Sequence, residues 1–109
     1  MSGAQNQLPS DPTEAVKFTI NIVDQLLEVM EEENRALMVK DSVAFTASQD
    51  QKVKLSERYQ VISTEFKQRI MDFRSVDKAL LDQLDAKQRE LADKTKENMQ
   101  TMENLQSNG

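Results

Sequence analysis

The sequence contains no cysteine, no histidine and no tryptophan, and only two glycines and two prolines in 109 residues. Without cysteine there is no disulfide framework, no thiolate nucleophile and no sulfur ligand for zinc. Without histidine the commonest general base and metal ligand is missing, and the Glu-x-x-His pairs of di-iron helical bundles cannot be built. No glycine-rich segment is available to cradle a phosphate. Acidic clusters do occur, at Glu31-Glu32-Glu33 and at Asp82 with Asp85. Adjacent acids on a helix point in different directions, so both clusters read as solvated faces. The expectation is a protein that is not an enzyme and needs no cofactor or metal.

Long hydrophobic runs are also missing, which excludes a membrane-spanning helix. Met1 to Ser10 is polar and has neither the basic start nor the apolar run of a leader peptide. A reducing, cytoplasmic setting is therefore expected. The net charge of −5 argues against nucleic acid or an anionic membrane as the main partner, which leaves protein as the expected target.

Hydrophobic residues make up 38% of the chain and charged residues 30%. Such a composition buries stripes along helices rather than surrounding a deep cavity. Both prolines, Pro9 and Pro12, lie near the N-terminus, so nothing beyond Thr13 forbids long helices. Residues 1–10 read as a disordered tail. Asp11-Pro12-Thr13-Glu14 then opens a helix, with Asp11 as cap, Pro12 in the first turn and Glu14 closing a capping box.

Three apolar stripes follow at alternating spacings of three and four. The first is Val16, Ile20, Val23, Leu27, Met30 and Leu37, interrupted at Asn34 and Asp41. The second is Phe45, Ser48, Lys52, Leu55, Tyr59, Ile62, Phe66, Ile70 and Phe73. The third is Leu80, Leu84, Gln88, Leu91, Thr95, Asn98, Met102 and Leu105. Asp41-Ser42 marks one reversal, around residues 40–43; Arg74-Ser75 marks the next, with Ser75 as cap and Asp77 in the first turn. The predicted architecture is all-α: a coiled-coil-like antiparallel three-helix bundle over residues 11–106, with helices at about 12–40, 43–73 and 76–105 and a frayed end at 107–109.

Folding the stripes back on one another places Met30 opposite Leu55, Leu27 opposite Tyr59, Val23 opposite Ile62 and Ile20 opposite Phe66. It also places Ile70 opposite Leu80, Phe66 opposite Leu84 and Tyr59 opposite Leu91. The middle helix carries five acids and six bases, between a first helix with seven acids and three bases and a third with seven and five. That favours the packing modestly, because exposed ion pairs are weak.

The same register brings Glu33, Lys52 and Asn98 to one level. Two readings stand: a device that fixes register or loosens the bundle for a partner, or a half-solvated ion pair where a small bundle tapers. Beyond that level Thr95 and Asn98 replace apolar residues, and Met99 and Met102 replace leucine. Methionine suits adaptable binding surfaces and also fills ordinary cores.

The stretch Leu26-Leu27-x-x-Met30-x-x-Glu33-x-x-x-Leu37-x-x-x-Asp41, followed by Lys52-x-x-Leu55, resembles the core pattern of FlgN-type flagellar export chaperones. Leu91, the Glu97-Asn98 pair and Asn104 are similar to the asparagine-bearing third helix of that family. The resemblance covers roughly residues 15–105 and rests on short motifs of common helix residues. It implies a cytoplasmic chaperone that binds the C-terminal helices of hook–filament junction proteins, keeps them monomeric and delivers them to the flagellar export apparatus. It also implies client binding through the third helix, carried here by Leu91, Thr95, Asn98, Met99, Met102 and Leu105. Glu33, Asp41 and Lys52 would be a structural polar layer, and the protein a monomer or weak homodimer. Family members often continue beyond the matched segment. The alternative is a structural coiled-coil protein that oligomerises and has no secretion client.

Overall fold

In the computed structural model, residues 7–108 are described, with side chains through Leu105. The described chain is helical, with no strand among these residues. Helix α1 spans Pro12–Met38, α2 spans Ser42–Gln68, a 3₁₀ segment runs Ile70–Ser75, and α3 spans Lys78–Asn108. The whole measures 51 × 33 × 17 Å, a thin slab.

Capping chemistry sets the ends. Asp11 is extended and its carboxylate accepts from the Glu14 N–H at 3.0 Å, while Pro12 occupies the first turn. Helix α1 stops two residues earlier than expected. There the Asp41 N–H reaches the Ala36 carbonyl at 2.9 Å and the Lys40 N–H the Leu37 carbonyl at 3.3 Å. This tight closure requires a left-handed residue, and Lys40 supplies it at φ 59°. Asp41 then caps α2, accepting from the Ala44 N–H at 3.0 Å.

The second link differs from expectation. Helix α2 ends at Gln68, not 73, and the chain tightens into the 3₁₀ segment. Phe73 is buried and stacks on Phe66 with ring centroids 4.0 Å apart. Ile70, expected against Leu80, is instead 56% exposed. Tertiary packing of Phe73 and Val76 decides the break, since residues 69–75 contain no helix breaker. The cap of α3 is Asp77 rather than Ser75: its carboxylate accepts from the Ala79 N–H at 3.2 Å, and its carbonyl from Leu80 and Leu81.

Helix α1 is the shared partner of the other two, whose backbones approach each other at few points. It therefore buries two adjacent stripes, not one. Val16, Ile20, Val23, Leu27 and Met30 form the first; Ala15, Thr19, Ile22, Leu26, Val29 and Ala36 form the second. Cross-links show which stripe serves which neighbour. Met30, expected against Leu55, meets Thr95 of α3, whose hydroxyl lies 3.9 Å from its sulfur. Leu55 shares a groove with Val29. Asp24 with Lys87 and Glu31 with Lys94 link residues 63 apart, so α3 runs parallel to α1, and α2 antiparallel to both. A direct bridge from α2 to α3 is the hydrogen bond from Gln88 to the Tyr59 hydroxyl at 3.1 Å.

The core lies at the end where α2 leads into α3. Ile62, Phe73, Val76 and Leu84 close on Val16, Ile20, Ile22 and Leu26, with Phe66, Leu80 and Leu91 packed around them. Leu8 belongs to this cluster, which corrects the expectation of a disordered tail for residues 7–10. Residues 1–6 lie outside the described segment, as does Gly109.

Candidate functional site

At the opposite end, apolar burial gives way to a polar layer. Glu33 is fully buried, and its carboxylate accepts from Lys52 Nζ at 3.1 Å to both oxygens, from Asn98 Nδ2 at 2.6 Å and from Gln49 Nε2. Lys52 is the partly exposed member, so its charge stays near water while the Glu33 carboxylate does not. Asn98 is also buried, and its amide group donates to the Met30 carbonyl at 3.3 Å. A carboxylate with donors from two other helices offsets its own desolvation and fixes one register. Glu33, Lys52 and Asn98 thus meet in one cluster. Asp41 does not join it, because its carboxylate is committed to the cap of α2.

The six residues expected to bind a partner do not share one surface. Leu91 is half-buried against the core, and Asn98 is turned into the polar layer. Thr95 is exposed, with its hydroxyl bonded back to the Leu91 carbonyl at 2.8 Å. Met99 points outward, 59% exposed. Met102 and Leu105 are half-buried. Leu105 lines an apolar notch of about 380 Å³ together with Ala36, Leu37, Lys40, Asp41, Ser42 and Phe45. Beside this notch stand Met38, Val39 and Val43, 68%, 67% and 80% exposed. These three fall between the first and second stripes, so periodicity does not single them out. Their signal was a Met-Val pair and a further valine flanking a reversal otherwise marked by polar residues.

Ion pairs stitch α1 to α3 along the outer seam. Lys87 Nζ lies 2.9 Å from Asp24, and Lys94 bridges Glu31 and Glu97. The hydrogen bond from Lys94, helped by its charge, holds the Glu31 carboxyl below its ordinary value. The same bond raises Lys94, and the bond to Asp24 raises Lys87.

No group of His, Cys, Asp or Glu among the described residues could hold a metal ion. None of the described helices is long and apolar enough to cross a membrane. No protein-family model matches the chain, and no curated protein or solved structure does either.

Proposed function

We propose that this coiled-coil-like three-helix bundle is a cytoplasmic export chaperone of the FlgN type, which shields an amphipathic helix of a client until delivery. The observation that carries the reading is the apolar notch of Ala36, Leu37, Phe45 and Leu105, flanked by exposed Met38, Val39 and Val43. Exposed apolar surface of this kind, rimmed by polar residues, marks a site of protein association. The resemblance of Leu26-Leu27, Glu33, Leu37, Asp41 and Lys52 to the family pattern supports the choice of client.

The mechanism is helix-in-groove recognition. A client helix lays its apolar face along the notch and displaces or rides over the α3 end at Met102 and Leu105. Clients in this reading are the C-terminal helices of hook–filament junction proteins, which polymerise through those helices and need them covered. Opening α3 and ordering the guest both cost free energy, so affinity stays moderate and release to the export apparatus stays fast. The chaperone itself is a monomer or weak homodimer.

Titration with purified hook–filament junction proteins, followed by calorimetry, tests this. Wild type is expected to bind, and Val43→Asp/Leu105→Asp to bind at least about tenfold more weakly, a loss of about 1.4 kcal/mol. Met99→Asp, at an outward-pointing residue, separates the outer face of α3 from the notch, and Met102→Asp reports on the α3 end. Absence of any complex removes the chaperone reading. Equal binding by wild type and variants relocates the surface. Tight self-association that the same substitutions abolish favours the structural, client-free alternative.

A further inference from the structure

At the far end from the notch, residues 7–10 lie across the end of α2 in a manner that α1 does not require. Glu65 is a buried carboxylate, and one oxygen accepts from two successive backbone N–H groups, Gln7 at 2.8 Å and Leu8 at 3.1 Å. One turn along α2, the Arg69 guanidinium donates to the next two carbonyls, Pro9 at 2.8 Å and Ser10 at 2.9 Å. Between these contacts the Leu8 side chain, 6% exposed, enters the apolar cluster. Four consecutive residues are thus read as donor, donor, acceptor, acceptor, with one apolar anchor. The third position asks for no N–H, so proline fits it, and a residue before proline is already biased to extended backbone.

The receiving side is held in place by bonds of its own. Arg69 lies 3.5 Å from Glu65 and 3.5 Å from Asp72, and its guanidinium sits 5.5 Å from the centre of the Phe73 ring. Its fork is therefore oriented without help from the peptide. Beside Gln7 the site opens into a groove lined by Lys54, Glu57, Arg58 and Val61, so a longer peptide can run past the clamp.

We propose that Glu65, Arg69 and the Leu8 pocket form a binding site for an extended peptide segment of a partner protein with the pattern x-Leu-Pro-x, held in cis by the chain's own residues 7–10. Apart from one leucine, the contacts are to backbone, so the own segment has no chemical advantage over a partner segment beyond being tethered. The site is therefore autoinhibited by tethering, and a partner binds when its segment outcompetes the strap. This does not rest on the chaperone reading, which concerns the other end of the molecule.

The probe is a fluorescein-labelled synthetic peptide with the sequence of residues 5–13, followed by anisotropy against the full chain. Leu8→Asp, which empties the pocket from within, is expected to bind it at least about tenfold more tightly than wild type does. Adding Arg69→Ala to that variant is expected to cost at least about tenfold. A folded Leu8→Asp chain, judged by helix content, that fails to bind the peptide overturns the proposal. So does a dimer of the wild type, formed without peptide, in which the straps are exchanged between copies. Should Leu8→Asp not fold, amide exchange in wild type decides. Exchange of the Gln7 and Leu8 N–H groups faster than at Ile62 and Glu65, and faster still with excess unlabelled peptide, supports a releasable strap. Exchange of all four at one rate makes the strap an inseparable part of the fold and ends the idea.

Discussion

The two ends of the slab differ in the balance of forces that holds them. Where α2 leads into α3, side chains such as Val16, Ile22, Ile62 and Phe73 are removed from water and make up most of the interior, with the buried Glu65 carboxylate holding Gln7 and Leu8 at its edge. Past Met30 on α1 and Leu91 on α3, Leu37, Met102 and Leu105 are half-covered and Met38, Val39 and Met99 exposed, and a buried carboxylate with three donors does the joining. Apolar burial is non-directional and tolerates small shifts, whereas a hydrogen-bonded carboxylate accepts one arrangement or loses its partners. One end therefore supplies stability. The other supplies register, and it carries the notch with Met38, Val39 and Val43 beside it.

Substitution at the two ends should give unequal effects. Ile62→Ala is expected to cost about 3–4 kcal/mol in urea unfolding, because a fully buried side chain leaves a cavity. Leu105→Ala, at the half-covered end, should cost below about 1 kcal/mol. Similar losses at both positions would dissolve the contrast. Next in size is Glu33→Ala, expected to cost about 2–3 kcal/mol because Lys52, Gln49 and Asn98 lose their acceptor. If the layer exists for register, Glu33→Leu/Lys52→Leu/Asn98→Leu should match or exceed wild-type stability while the α3 cross-links to α1 lose their uniqueness, seen as doubled resonances around Asn98.

A smaller effect, opposite in sign, lies at the reversal. Lys40→Gly should raise stability by about 0.5–1 kcal/mol, since glycine adopts the left-handed backbone at φ 59° without a steric cost. The smallest concerns the ion pairs. Glu31 is depressed, so its contribution is present above its ordinary 4.5 and is lost as pH falls through the lower folded value. Lys94 and Lys87 are raised, so theirs is present below 10.5 and is lost as pH rises through the higher folded values. Between those limits these three groups add no slope to the thermal midpoint. Glu31→Gln should remove part of the acid-side slope, and added salt should blunt it further.

The helices, the Asp11 and Asp41 caps, and the meeting of Glu33 with Lys52 and Asn98 were all legible in the sequence, because periodicity and capping are local signals. What was not legible was which helix stands in the middle. A single stripe suffices for a helix at the edge, and Ile22, Leu26, Val29 and Ala36 make a second stripe only once α1 is known to serve two neighbours. Reading one stripe left out the contact of Met30 with Thr95 of α3. The break at Arg69 was equally hidden, since it follows from Phe73 packing on Phe66 and not from any breaker residue. In the candidate site, the Met38, Val39 and Val43 cluster lay outside every stripe. Leu8-Pro9, an apolar residue and a proline in a polar segment, is the one local sign that residues 7–10 dock.

The position of α1 between two helices whose backbones stay apart has a bearing on how a disturbance travels. Movement of α3 has few direct ways to reach α2. Among the described residues, Glu33 is the α1 side chain hydrogen-bonded to both, so it stands at the junction where a pull on one flank becomes a loss on the other. Lifting Asn98 away would leave Lys52 and Gln49 to hold the carboxylate alone, and α2 would register the arrival of anything that moved α3.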